Sequence, residues 1–78
     1  MTSKTEIQKW FETGISKGAT HMIVVCDTYD HEDFPRYVMP GEDARHKAMP
    51  GNMERIMEVY NLNMDMRQQL NESRAFNY

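Results

Sequence analysis

One short segment holds side chains whose types and spacing could bind a metal ion. Residues 27–33 read DTYDHED, with no Lys or Arg among them. Several converging carboxylates bind hard cations such as Mg²⁺ or Ca²⁺, and mixed histidine and carboxylate sets suit zinc, manganese or iron. The segment therefore predicts a divalent-metal site, which would support a metal-dependent hydrolase. Its candidate ligands are Asp27, Asp30, His31 and Asp33.

The same acidic segment has two other interpretations. Asp side chains in loops commonly accept hydrogen bonds from nearby backbone N–H groups and so stabilise turns without any ligand. An acidic loop can also dock against a basic surface of a partner. The spacing lacks the central glycine and final glutamate of an EF-hand loop, so it does not single out the metal interpretation.

A second set of residues could bind a small anionic ligand. Guanidinium groups bind phosphate and carboxylate oxygens in pairs, and an aromatic ring beside them can stack on a base. The alternative is that these cations are solvated and paired with nearby acidic side chains. The candidate residues are Arg36, Tyr37, Arg45 and His46.

The single cysteine gives little support to catalysis. One cysteine cannot form an internal disulfide or a thiolate zinc site. Cys26 lies in an apolar run, where thiols are usually buried, high in pKa and inert, and the neighbouring Asp27 would raise its pKa further. His21 or His31 could act as a general base, but no set of nucleophile, base and orienting group is recognisable. We therefore assign no catalytic residue.

The N-terminal elements are predicted from local signals. Ser3 and Glu6 have the spacing of a helix-capping box, and Gly18 is a typical helix end, so a helix is expected near 4–17. The β-branched, continuously apolar run 22–26 predicts a strand covered on both faces. Residues 34–39 complete a hairpin as an edge strand, because Pro35 lacks an N–H group.

Two or three helices are expected after the hairpin. Residues 42–48 could form a short one, and an apolar stripe with helical spacing predicts another. Asn63 could cap a last helix whose Met66 and Leu70 face inward. The chain is thus predicted to be a single α+β domain over residues 1–78. The stripe consists of Met53, Ile56, Met57 and Tyr60.

The predicted hairpin leaves backbone hydrogen-bonding groups unpaired along one edge of its first strand. A two-stranded hairpin is marginal on its own, and the strand over 22–26 has a partner along only one of its two edges. The prediction is a homodimer in which two copies of this strand pair, completing a four-stranded sheet flanked by helices.

The segments GATHMIVVCDTYDHEDFPRYVMPGEDAR and NMERIMEVYNLNMDMRQQLNESRAFNY together cover nearly the whole chain. Through them the sequence resembles a family of small uncharacterised proteins of bacteria and their phages. The resemblance implies a stand-alone cytoplasmic protein without an assigned activity, and it carries over no catalytic residue. A phage setting favours short non-enzymatic proteins that bind a host protein or sequester a small molecule.

Length and charge exclude several classes of protein. Seventy-eight residues are too few for a Rossmann fold or a barrel, and no apolar run reaches the roughly 20 residues of a membrane-spanning helix. A net charge of −3 argues against nucleic-acid binding. The N-terminus lacks the apolar stretch of a signal peptide, which indicates a cytoplasmic protein.

The sequence therefore predicts a small non-catalytic binding protein. Its ligand would be a partner protein, such as a host protein, or a small anionic molecule, with no cofactor beyond the divalent metal considered above. The metal-dependent hydrolase remains the alternative.

Overall fold

A computed structural model describes residues 3–72 and 75–78 of the chain. Three strands form one antiparallel sheet in the order β2-β1-β3, and the predicted α+β class is confirmed. No helix in the described part of the chain is long and apolar enough to cross a membrane. The elements are α1 (Lys4–Lys17), β1 (His21–Asp27), β2 (Asp33–Val38), α2 (Ala44–Lys47), β3 (Glu54–Asn61) and α3 (Met66–Leu70).

Helix α1 begins and ends where the sequence predicts. The Ser3 hydroxyl oxygen accepts a hydrogen bond from the Glu6 N–H at 3.2 Å, which satisfies one of the free donors of the first turn. Gly18 ends the helix with a φ of 77°, a left-handed conformation that glycine adopts without a side-chain clash. Ile7 and Phe11 form the buried face of the helix.

Strand β1 is the centre of the molecule, and its residues 22–26 are all buried. Met22 and Val24 pack with α1 on one face of the sheet. Ile23 and Val25 pack on the other face, against Ala48 just after α2. A strand buried on both faces needs apolar residues at every position, so its side chains do not alternate between apolar and polar.

Strand β3 corrects the helix expected over 53–60. The residues pair with β1, and the register shifts between Val24 and Val25 so that Glu58 and Ile56 are their respective partners. Met57 is the extra residue of this β-bulge, and it packs with the α1 cluster while Ile56 packs with the α2 cluster. The bulge interrupts the two-residue alternation that is typical of a strand. As a result, the spacing of the apolar residues also fits a helix.

Pairing with β3 also removes the reason for which a dimer was expected. Both hydrogen-bonding edges of β1 are filled from within the chain, by β2 and β3, so the expected pairing of β1 between two copies is wrong. The outer edge of β3 binds the C-terminal segment, since the Val59 N–H donates to Ala75 O at 2.8 Å and the Asn77 N–H donates to Val59 O at 2.9 Å. The oligomeric state itself stays a prediction.

The remaining elements agree with the sequence except for one cap. The edge position of β2, which contains Pro35, is confirmed, and so is the short helix within 42–48. The last helix is present as α3, but Asp65 caps it instead of Asn63. The Asn63 N–H donates to the Asn61 side chain in the turn that precedes the helix. That turn places Asn63 two residues too early to cap α3.

Gln69 is the one buried polar side chain among the described residues, at 0% exposure. Its Oε1 accepts hydrogen bonds from the Asn61 N–H at 2.7 Å and from Asn77 Nδ2 at 3.1 Å. Its Nε2 donates to the carbonyls of Asn61 at 2.9 Å and Asp65 at 3.1 Å. One amide therefore joins the end of β3, the start of α3 and the C-terminal segment.

Replacing this amide by an apolar side chain of similar size should destabilise the protein strongly. Gln69→Leu leaves the Asn61 N–H without its acceptor and removes the amide that donates to the Asn61 and Asp65 carbonyls. We expect a loss of about 3 kcal/mol in the free energy of unfolding. Gln68→Leu, at the exposed neighbouring position, is the control and should stay within about 0.5 kcal/mol of the wild type. Urea unfolding of the two variants makes the comparison, and equal stabilities would contradict the role given to Gln69.

Gly14 lies on the buried face of α1, against Leu62 and Tyr37. A Cβ atom at this position would lie 2.7 Å from Leu62 Cδ1 and 2.9 Å from Tyr37 Cε1, which is closer than such atoms can approach. The Tyr37 ring is held in place, because its hydroxyl donates to the Trp10 carbonyl at 2.8 Å. The glycine is thus a packing requirement, although glycine weakens a helix interior.

Gly14→Ala should therefore destabilise a helix that alanine would ordinarily strengthen. The gain in helix propensity is about 1 kcal/mol, and overpacking at a tight contact costs about 1–3 kcal/mol. We expect a lower melting temperature for Gly14→Ala and an unchanged or higher one for Ser16→Ala, which is exposed on the same helix. A melting temperature of Gly14→Ala above that of the wild type would refute this packing argument.

Candidate functional site

The acidic hairpin is folded by its own carboxylates. Asp27 Oδ1 accepts a hydrogen bond from the Tyr29 N–H at 2.8 Å, and Asp30 Oδ1 accepts one from the Glu32 N–H at 3.0 Å. The turn also places His31 at a φ of 59°, in the left-handed region. Two of the four carboxylates thus act as turn acceptors, as in the interpretation without a ligand.

The four predicted metal ligands do not lie together in one group. In residues 3–72 and 75–78, no three or more His, Cys, Asp or Glu side chains come together so that they could hold a metal ion. Asp27 and Asp30 serve the turn, whereas His31 and Asp33 line a pocket beside it. The spacing of the four residues along the chain brought them into one loop but did not make them converge.

That pocket has a volume of about 240 Å³ and lies beside the hairpin. The strand register explains three of its residues, because Cys26 is opposite Asp33 on β2 and opposite Arg55 on β3. Directly opposite residues share a face of the sheet, so these three side chains form one row. The lining residues are Cys26, His31, Asp33, Arg55 and Met57.

Sequence reasoning missed Arg55 and Met57 as neighbours of Cys26. The expected helix over 53–60 separated them from the hairpin, and only the β1–β3 pairing brings them together. The β-branched and aromatic residues of ERIMEVYN were the one signal of a strand available in the sequence.

The Cys26 thiol is not activated as a nucleophile. Loss of hydration raises its pKa above the ordinary 9.0, and a hydrogen bond to Asp33 together with the charges of Asp33 and Asp27 raises it further, while Arg55 lowers it. Its Sγ lies 3.7 Å from the Asp27 carbonyl oxygen, to which it can donate, and the residue is only 7% exposed. At neutral pH the side chain is therefore a protonated thiol.

Arg36 and Tyr37 of the predicted anion site lie on opposite faces of the sheet. Arg36 Nη2 forms an ion pair with Glu54 Oε2 at 2.6 Å, and its Nη1 donates to the Lys47 carbonyl at 3.2 Å. Tyr37 packs with the α1 cluster on the other face. Lys17 Nζ lies 5.0 Å from the centre of the Tyr37 ring. Successive strand residues point to opposite faces, so these two side chains cannot share a ligand.

Arg45 and His46 are exposed on α2. The Arg45 guanidinium carbon lies 4.5 Å from the centre of the Tyr78 ring, in a cation–π contact with the C-terminal segment. The His46 N–H donates to the helix cap Asp43 at 3.5 Å. The structure thus does not bring the four predicted anion-binding residues together into one site.

Three segments that meet at the hairpin end of the sheet each carry an exposed large apolar side chain. Tyr29 is 80% exposed in the turn, Met53 is 47% exposed just before β3, and Phe34 is 37% exposed at the start of β2. The Thr28 N–H donates to the Met53 carbonyl at 2.9 Å, so the turn and the start of β3 are joined. These three side chains together with the acidic turn 27–33 are called the hairpin-end surface below.

Comparison with known proteins identifies no relative of this chain. No family model, no curated protein and no solved structure matches it. The resemblance to small bacterial and phage proteins stays a prediction.

The charges around Cys26 can be tested through its rate of alkylation. Only the thiolate reacts, so iodoacetamide should modify the native protein slowly at neutral pH and faster as the pH rises. Asp33→Asn removes the hydrogen-bonding carboxylate, lowers the thiol pKa and should speed the reaction at a fixed neutral pH. Asp30→Asn is the matched control, since Asp30 does not act on the thiol. Equal rates in the two variants would contradict this account of the pocket.

Proposed function

We propose that this chain is a small non-catalytic binding protein whose hairpin-end surface contacts a partner protein. The observation that carries the proposal is the exposure of Tyr29, Met53 and Phe34 at one end of the sheet. Solvent-exposed aromatic and methionine side chains are typical of protein interaction sites, where such residues supply most of the binding energy.

The preformed shape of this surface supports the proposal. The Asp27 and Asp30 side chains fix the turn through hydrogen bonds to its backbone, and the Thr28–Met53 hydrogen bond fixes the turn to β3. A surface that is ordered before binding loses less conformational entropy when a partner arrives. Affinity can then come from a small number of contacts.

A small anionic ligand is less well supported than a partner protein. Within the pocket Arg55 is the one guanidinium, and Asp33 lies in the same row of side chains. The acidic turn beside it adds further negative charge, which repels an anion. Of the two arginines predicted to bind an anion, Arg36 is paired with Glu54 and Arg45 contacts the Tyr78 ring.

The hydrolase alternative has equally little support. A metal-dependent reaction needs convergent ligands that also leave a coordination position open, whereas Asp27 and Asp30 accept hydrogen bonds within the turn. A reaction through Cys26 needs a lowered thiol pKa, and its pKa is raised.

The proposed place of action is the cytoplasm. The single cysteine is a free, buried thiol, which is typical of a reducing compartment. A phage or bacterial setting is proposed on the sequence resemblance alone.

The proposal predicts which substitutions abolish capture of the partner. The variant Tyr29→Ser/Met53→Gly removes two exposed side chains, and glycine suits the left-handed backbone of Met53, whose φ is 60°. We expect it to be at least as stable as the wild type, because glycine relieves the strain at position 53, and to lose its partner. Ile15→Thr, 55% exposed on α1, is the matched control and should retain the partner.

The measurement is quantitative affinity capture of the tagged proteins from their source cells, with each bound protein scored by its ratio between wild type and variant. A partner lost on Ile15→Thr and kept on Tyr29→Ser/Met53→Gly would place the interaction on another face and overturn the proposal.

A further inference from the structure

We infer that the partner of the hairpin-end surface is a cationic protein segment carrying large apolar side chains. The inference rests on the proposed function and adds the chemistry of the occupant. It follows from two independent properties of the same surface, its exposed apolar side chains and its sign of charge.

Within this surface the turn 27–33 carries charges of one sign, while the Arg55 guanidinium lines the pocket beside it. Residues 27–33 contain four carboxylates and no Lys or Arg, and they carry more negative charge than the whole chain, whose net charge is −3. Two ion pairs join described residues, Arg36 with Glu54 and Lys47 with Glu42. Both carboxylates lie outside this turn. Asp30 and Glu32 are exposed and follow Tyr29 by one and three residues in the same turn.

The apolar side chains determine what else the partner must offer. Tyr29 and Phe34 present large, stiff rings, and Met53 presents a flexible thioether that adapts to irregular surfaces. Burying these groups requires apolar side chains on the other side. A polycation without them would be attracted to the turn but would leave the rings in water.

A second copy of this chain does not fit the same surface. In a two-fold dimer built on it, each acidic turn would face the acidic turn of the other copy, and like charges at close range repel. An edge-to-edge contact through β2 is also hindered, because Pro35 offers no N–H group to a neighbouring strand. The charge therefore selects a different, basic chain.

The test uses two synthetic peptides of equal length. One contains lysine, leucine and phenylalanine, and the other has glutamate in place of every lysine. Binding is measured by fluorescence anisotropy at low and at physiological salt. We expect the lysine peptide to bind, to bind more weakly as salt screens the charges, and the glutamate peptide not to bind.

Two charge variants show whether the binding is local. Asp30→Asn/Glu32→Gln should weaken binding of the lysine peptide by about tenfold. Glu12→Gln/Glu72→Gln removes two exposed carboxylates elsewhere and changes the net charge equally, so it should weaken binding far less. Equal losses in the two variants, or binding of the glutamate peptide, would overturn the inference.

The same proteins separate this inference from the proposed function. If capture of the cellular partner is lost in Tyr29→Ser/Met53→Gly but kept in Asp30→Asn/Glu32→Gln, the surface binds a partner that is not selected by charge, and only the inference fails. If both variants keep every partner, the proposed function and the inference both fail.

Discussion

The fold depends on one constraint, which is that β1 is apolar on both faces and must be enclosed completely. Residues 22–26 are buried without interruption, so each face needs a cover and each edge needs a hydrogen-bonding neighbour. Helix α1 covers one face, and α2 with its following residue covers the other. Strands β2 and β3 pair with the two edges. Most of this small chain is therefore used to enclose a single strand.

The two ends of the sheet differ as a consequence. At one end, Gln69 joins β3, α3 and the C-terminal segment through buried hydrogen bonds, and Leu62 packs beneath α1. At the other end, β1 runs out into the hairpin, where carboxylates replace the apolar core as the groups that hold the backbone. The first end stabilises the molecule, while the second is open to solvent and free to make contacts.

Local signals predicted the elements that local interactions determine. The Ser3 cap, the Gly18 end, the apolar run of β1 and the edge character of Pro35 all act within a few residues, and the structure agrees with each. Strand β3 was not predictable in this way, because its bulge at Met57 hides the strand period. Its identity depends on the unpaired edge of β1, which is a property of the folded sheet.

The candidate site shows the same difference between local and tertiary interactions. The acidic turn is contiguous in sequence and was found, but the row of Asp33, Cys26 and Arg55 joins three strands and depends on β3. The ion pair between Arg36 and Glu54 also joins separate strands, so it could not be foreseen from the sequence. Arg36 was therefore expected to be free to bind an anion. The acidic turn could be identified because its residues are contiguous. Which of the neighbouring side chains remain exposed depends on how the strands pair.

The left-handed backbone at Met53 implies a compromise between stability and surface chemistry. Glycine or asparagine fits a φ of 60° with less strain, and a non-glycine residue held there costs on the order of 1 kcal/mol. Methionine has an unbranched Cβ, so it is among the large apolar residues that this backbone tolerates best. Position 53 therefore combines an exposed apolar side chain with a local conformational penalty, the trade-off by which proteins give up some stability where a surface is used.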